Sequence, residues 1–93
     1  MAKKPWKLIR MKLHQPPDIR VGKRGVSEGV ILETTKLLEK KGIVKVKFLR
    51  NIAYDKKTAK KLAEELAIRT GAKIGKVIGK VAILYKDTND EEV

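Results

Sequence analysis

An α/β fold with a four-stranded mixed sheet, in the order α-β-α-β-α-β-β, is what three features of this 93-residue sequence predict. Two stretches of about 14 residues carry apolar side chains at helical spacing, short β-rich runs flank them, and a two-residue Gly79-Lys80 connection joins the last two runs. Strands separated by helices of that length need crossover connections and run parallel, whereas a two-residue turn makes its strands antiparallel. The chain is long enough for one domain with a modest core and too short for two. That domain is placed at residues 1–86, leaving 87–93 as an acidic disordered tail.

Trp6, Ile9 and Leu13 stand three and four apart, which predicts one or two turns of helix starting at Pro5, a residue suited to the first helical position. Gln15-Pro16-Pro17 ends it, because proline excludes helix from the residue before it. Ile19–Val21 reads as a short strand. The clearest helix spans about Glu28 to Lys41, with Ser27 as N-cap and Val26 and Ile31 placed for a hydrophobic staple. Val30, Ile31, Thr34, Leu37 and Leu38 fall on one of its faces, Leu32 outside that stripe, and Gly42 stops it. Val44, Val46 and Phe48 alternate with Lys45 and Lys47, giving a half-buried strand with a basic open face. Asp55 caps a second long helix, about Lys56 to Thr70, along a narrow stripe of Ala59, Leu62, Ala63, Leu66 and Ala67, and Gly71 ends it. The closing hairpin pairs residues 72–78 with Val81–Tyr85, and the latter run, apolar on both faces, is expected inside the sheet.

Charge narrows the partners. All 23 Lys and Arg fall in residues 1–86 with only seven of the eleven Asp and Glu, a net +16. A body so charged repels itself, and a polyanion relieves that repulsion by counterion release. Nucleic acid fits this better than a membrane surface, because the basic helices also carry acids and lack a bulky aromatic face. Only Trp6, Phe48, Tyr54 and Tyr85 are aromatic, which disfavours a protein that holds single-stranded bases mainly on aromatic platforms. Cysteine is absent, which removes disulfides and thiolate metal sites, and the N-terminus has no apolar secretory segment. The expected location is the cytoplasm.

The stretch with chemical content is Gly22-Lys23-Arg24-Gly25, between the first strand and the first long helix. Glycine at each end lets a backbone approach a ligand closely, and two cations at the tip beside a helix start attract phosphate. Neither a Walker A loop nor a G-x-G-x-x-G fingerprint is present. His14 has no second histidine or acidic pair near it, adjacent Glu64 and Glu65 point about 100° apart on their helix, and Ser27 is better explained as a cap than as a nucleophile. No catalytic residue, metal site or cofactor is therefore expected.

Clamping a nucleic-acid strand with a G-x-x-G loop is the device of KH domains. There the loop joins two helices, whereas Gln15-Pro16-Pro17 leaves little room for a helix before Gly22. The run Val21-Gly22-Lys23-Arg24-Gly25-Val26-Ser27-Glu28-Gly29-Val30, then Ile43-Val44-Lys45-Val46-Lys47, Thr70-Gly71-Ala72, Val77-Ile78-Gly79-Lys80 and Val81-Ala82-Ile83-Leu84-Tyr85, resembles in order the CRM domain. That domain is the chloroplast splicing and ribosome-maturation module whose small bacterial members are the YhbY-like proteins. The resemblance implies RNA binding, a fold similar to the C-terminal domain of translation initiation factor three, and association with pre-ribosomal particles or structured introns. It maps the family's loop onto Gly22, Lys23, Arg24 and Gly25. The one departure is the segment at residues 5–15, shorter and less apolar than the family's usual first helix.

The resulting expectation is a non-catalytic RNA-binding protein of ribosome assembly, monomeric, with Lys23 and Arg24 on the RNA backbone. Arg20, Lys7, Arg10 and Lys12 extend the patch if the first helix lies beside the loop, and Lys45 and Lys47 extend it if their sheet face is uncovered. Two alternatives are a dimeric nucleic-acid-compacting protein of the Alba kind, which shares the element order and basic character, and a small RNA-processing enzyme.

Overall fold

The computed structural model describes residues 4–50 and 55–86. Its elements are α1 (Trp6–Leu13), β1 (Ile19–Val21), α2 (Glu28–Lys41), β2 (Ile43–Phe48), α3 (Lys56–Thr70), β3 (Lys73–Ile78) and β4 (Val81–Tyr85), in the predicted order. The acidic tail expected at 87–93 lies outside the described residues.

Local chemistry accounts for the helix boundaries. Ser27 Oγ accepts the Val30 N–H at 3.3 Å to open α2, and Asp55 Oδ1 accepts the Thr58 N–H at 2.7 Å to open α3. Both helices end on glycines in the left-handed region, Gly42 at φ 81° and Gly71 at φ 73°. The Gly42 N–H returns to the Leu38 carbonyl, closing the last turn.

The sheet order is β1-β2-β4-β3. β1 and β2 are parallel, while β4 lies between β2 and β3 and is antiparallel to both. The apolar run Val81–Tyr85 is thus interior, as its two-sided hydrophobicity requires. On one face, Val44, Val46, Phe48, Ala82 and Leu84 meet α2 and α3 through Leu38, Ala59, Ala63 and Leu66. The alanines of α3 let that helix sit close to the strands.

The opposite face carries α1, so the basic face predicted for β2 is only partly open. Ile9 is fully buried against Ile43, Ile83 and Tyr85, with Leu13 packed beside them. A strand irregularity between Ile74 and Lys76 sets Gly75 under α1, where a Cβ would come within 2.8 Å of Ile9 Cδ1. Glycine at this position is what lets the helix seat Ile9 on the sheet. Trp6, which shares helical spacing with Ile9, is half exposed on the flank of α1.

Asp18 ties the α1–β1 connection to β2. Its N–H donates to the Lys45 carbonyl and its Oδ2 accepts the Lys45 N–H, both at 2.8 Å. The same carboxylate pairs with Lys12 Nζ at 2.9 Å and with Lys41 Nζ at 3.3 Å. Burial alone would raise its pKa, but the Lys45 N–H and the Lys12 and Lys41 ammonium groups together bring it below the ordinary carboxylate value.

Candidate nucleic-acid interface

The Gly22–Gly25 segment is a tight turn closed by the Gly25 N–H donating to the Gly22 carbonyl at 2.8 Å. Lys23 and Arg24 occupy its two corners and are exposed. Each glycine has a local reason to be there. Gly25 sits at φ 66°, which other residues adopt at a cost, and a Cβ on Gly22 would press to 3.2 Å from Leu49 Cδ1. At the helix start beyond the turn, Ser27 takes up one N–H and Glu28 adds a negative charge in the first turn of α2. The positive end of α2 is thereby largely offset, and the two side-chain cations carry the charge at this site.

The topology assembles further cations around that turn. The Leu49 N–H donates to the Val21 carbonyl and the Phe48 N–H to the Lys80 carbonyl, both at 2.8 Å. The turn, the start of the β2–α3 connection and the β3–β4 turn therefore share one end of the sheet. Lys23, Arg24, Arg50 and Lys80 gather there. Next to this end, Arg20 pairs in register with Lys47, Lys47 with Val81, and Val81 with Ile78, so one cross-strand row runs over the α1 side of the sheet. Arg20 and Lys47 are exposed in it.

Of the ten residues expected from sequence, Gly22, Lys23, Arg24, Gly25, Arg20 and Lys47 are brought together. Arg10 lies on the flank of α1, lining grooves against β3 and β4. Lys7, exposed on the same helix, lines neither groove. Two residues are withdrawn. Lys12 is buried in its ion pair with Asp18, and the Lys45 ammonium donates to the Leu13 and Gln15 carbonyls at 2.8 and 2.6 Å, capping the open end of α1. Their charges are already used inside the fold. Arg50 and Lys80 were not anticipated, because their nearness to the turn depends on strand order. For Arg50 a signal was available in the general rule that parallel strands bring the loops at their C-terminal ends together, whereas Lys80 lies in an antiparallel turn.

Among the described residues, no cluster of three or more His, Cys, Asp or Glu side chains is placed to hold a metal ion, and no helix is long and apolar enough to cross a membrane.

A family model described as the CRS1 / YhbY (CRM) domain matches residues 3–86. The fold is similar to the solution structure of SAV1595 from Staphylococcus aureus, a protein proposed there to bind RNA. The TM-score is 0.72 at 29% sequence identity, covering 94% of this chain and 90% of that one. A comparison with curated proteins found no match. Loop, element order and sheet sit within the span of the family model, and the chain belongs to the CRM-domain family.

Proposed function

We propose that this protein binds structured RNA without catalysing a reaction on it, as a monomer in the cytoplasm, during ribosome assembly. The observation that carries the reading is the exposed Lys23–Arg24 tip at the sheet end where Arg50 and Lys80 also gather, with Arg20 and Lys47 continuing the charge onto the sheet. Membership of the CRM-domain family and the RNA-binding role proposed for SAV1595 support RNA as the polyanion. In this reading the Gly22–Gly25 loop lies against the ribose-phosphate strand and the cations hold successive phosphates. Such contacts give affinity with little sequence preference and a strong dependence on salt.

The test is a salt titration of binding to a structured ribosomal RNA fragment by the native chain and the Lys23→Ala, Arg24→Ala double variant. The variant should bind more weakly, and its log–log salt slope should flatten by up to about 1.4 to 1.8, from a slope near 0.7–0.9 for each phosphate no longer neutralised. Unchanged affinity and slope would remove the loop from the interface. Competition by duplex DNA, with sedimentation to detect a dimer, separates this reading from an Alba-like one. Product formation from labelled RNA with divalent metal would reveal an enzyme.

A further inference from the structure

Along the flank of α1, two adjoining grooves form a trough between the helix and the uncovered part of the sheet. One, of about 330 Å³, is lined by Trp6, Ile9, Arg10, Leu13 and Lys76, and the next, of about 370 Å³, by Arg10, Leu13, His14, Lys45, Ile78 and Val81. Each is at the small-ligand end of pocket sizes. Trp6, Arg10 and His14 follow one another at intervals of four residues, about 6 Å of helix rise per step. All three side chains end in planar groups, and all are exposed. Facing them is an apolar floor that includes Ile78, itself 48% exposed.

The trough is electrostatically one-sided. No acidic side chain lines either groove, and among the described residues neither Arg10 nor Lys76 has a carboxylate within ion-pair distance. Lys4 Nζ lies 5.2 Å from the centre of the Trp6 ring, adding a further cation at the head of the trough. The floor residues Val81 and Ile78 belong to the same cross-strand row as Arg20 and Lys47. Arg20 is thus two strand spacings, about 10 Å, from the trough.

We infer that this trough holds unpaired nucleotides of the RNA bound by the Gly22–Gly25 loop, an inference that rests on the proposed RNA-binding function. A surface that is apolar at its floor, planar along its rim and cationic at Arg10 and Lys76 matches a strand whose bases are splayed from one another and whose phosphates face solvent. Unstacked bases gain from aromatic and guanidinium planes, whereas paired bases in a helix present none of their faces. The scarcity of aromatic residues is consistent with this division of labour. Backbone contacts at the loop supply general affinity, and a short planar track favours RNA with unpaired segments.

Trp6 is the sole tryptophan, so its emission reports on the trough directly. Titration with an unpaired oligoribonucleotide should quench that emission, while a blunt RNA duplex of equal length binds without quenching. Arg10→Lys with His14→Ala, which keeps the charge of Arg10 but removes two planar groups from exposed positions, should weaken the unpaired strand by about fivefold or more and leave the duplex unchanged. Trp6 emission unmoved by saturating unpaired RNA, or equal losses for both RNAs, would overturn the inference. The Lys23→Ala, Arg24→Ala variant keeps the two readings apart, since it should weaken both RNAs. If it weakens neither while the trough effects persist, the loop reading fails and the trough stands.

Discussion

Replacing Asp18 with asparagine should cost this domain about 2–3 kcal/mol at neutral pH, and the structure shows where the loss arises. The asparagine amide would keep an oxygen for the Lys45 N–H, now accepted at 2.8 Å, so the backbone bracket between β1 and β2 survives. What disappears is the charge facing Lys12, an ion pair at 2.9 Å whose side chains are only 10% and 11% exposed. A hydrogen bond to a charged group contributes about 1.5–3 kcal/mol. Removing one partner of a fully buried pair costs about 3–5 kcal/mol, a ceiling lowered here because the flexible Lys12 stem can lift its ammonium toward water. Lys41, 46% exposed in its pairing, adds less than about 1 kcal/mol. For a chain of this size the total corresponds to a fall in Tm of roughly 10 °C or more.

The effect has a pH signature with a definite sign. The Asp18 pKa is depressed in the folded state from an ordinary value of 3.8, so its stabilisation is complete above that value and is lost as pH falls through the folded pKa. Urea melts followed by far-ultraviolet circular dichroism should give a constant gap between native and Asp18→Asn proteins near neutrality. That gap should narrow below about pH 4. Adding Lys12→Met should recover part of the loss, because the uncompensated ammonium goes with it. A gap under about 0.5 kcal/mol at pH 7, or one that does not shrink in acid, would refute the assignment of Asp18 as an ionic tie.

Other substitutions probe different features. Gly75→Ala should destabilise by about 1–3 kcal/mol in a urea melt, since its Cβ would lie 2.8 Å from Ile9 Cδ1 and 3.3 Å from the Ile83 carbonyl oxygen. Combining it with Ile9→Val, which removes that terminal methyl, should give less than the sum of the two losses. Gly25→Ala should cost about 1–2 kcal/mol because φ is 66°, and Gly25→Asn distinctly less, as thermal melts would show. Lys45→Met should lower stability by about 1–2 kcal/mol in a urea melt, because two carbonyls at the end of α1 lose their donor.

How far the sequence reveals this molecule depends on how far apart the interacting groups lie along it. The caps at Ser27 and Asp55 and the stops at Gly42 and Gly71 act within a single helical turn, so residue type and spacing identify them. The interior place of Val81–Tyr85 is legible from one segment, because burial on both faces needs no knowledge of the neighbours. The strand order β1-β2-β4-β3 is not, since it records how whole crossovers pack. At the site, what residue type and spacing leave open is which groups each cation meets in the fold. Lys12 and Lys45 look like free cations along the chain, yet one is claimed by Asp18 and the other by two carbonyls some 30 residues away. Arg50 and Lys80 look incidental until Phe48 and Leu49 join their loops to the sheet end. Trp6 shares helical spacing with Ile9 and Leu13, and spacing alone ranks the largest side chain as the one to bury. Gly75 reverses that ranking, because the opening it leaves admits a branched aliphatic tip, and seating Ile9 there turns the indole onto the exposed flank. The glycine that docks α1 thus also places Trp6 in the trough, which couples the packing of the small core to the surface proposed for unpaired RNA.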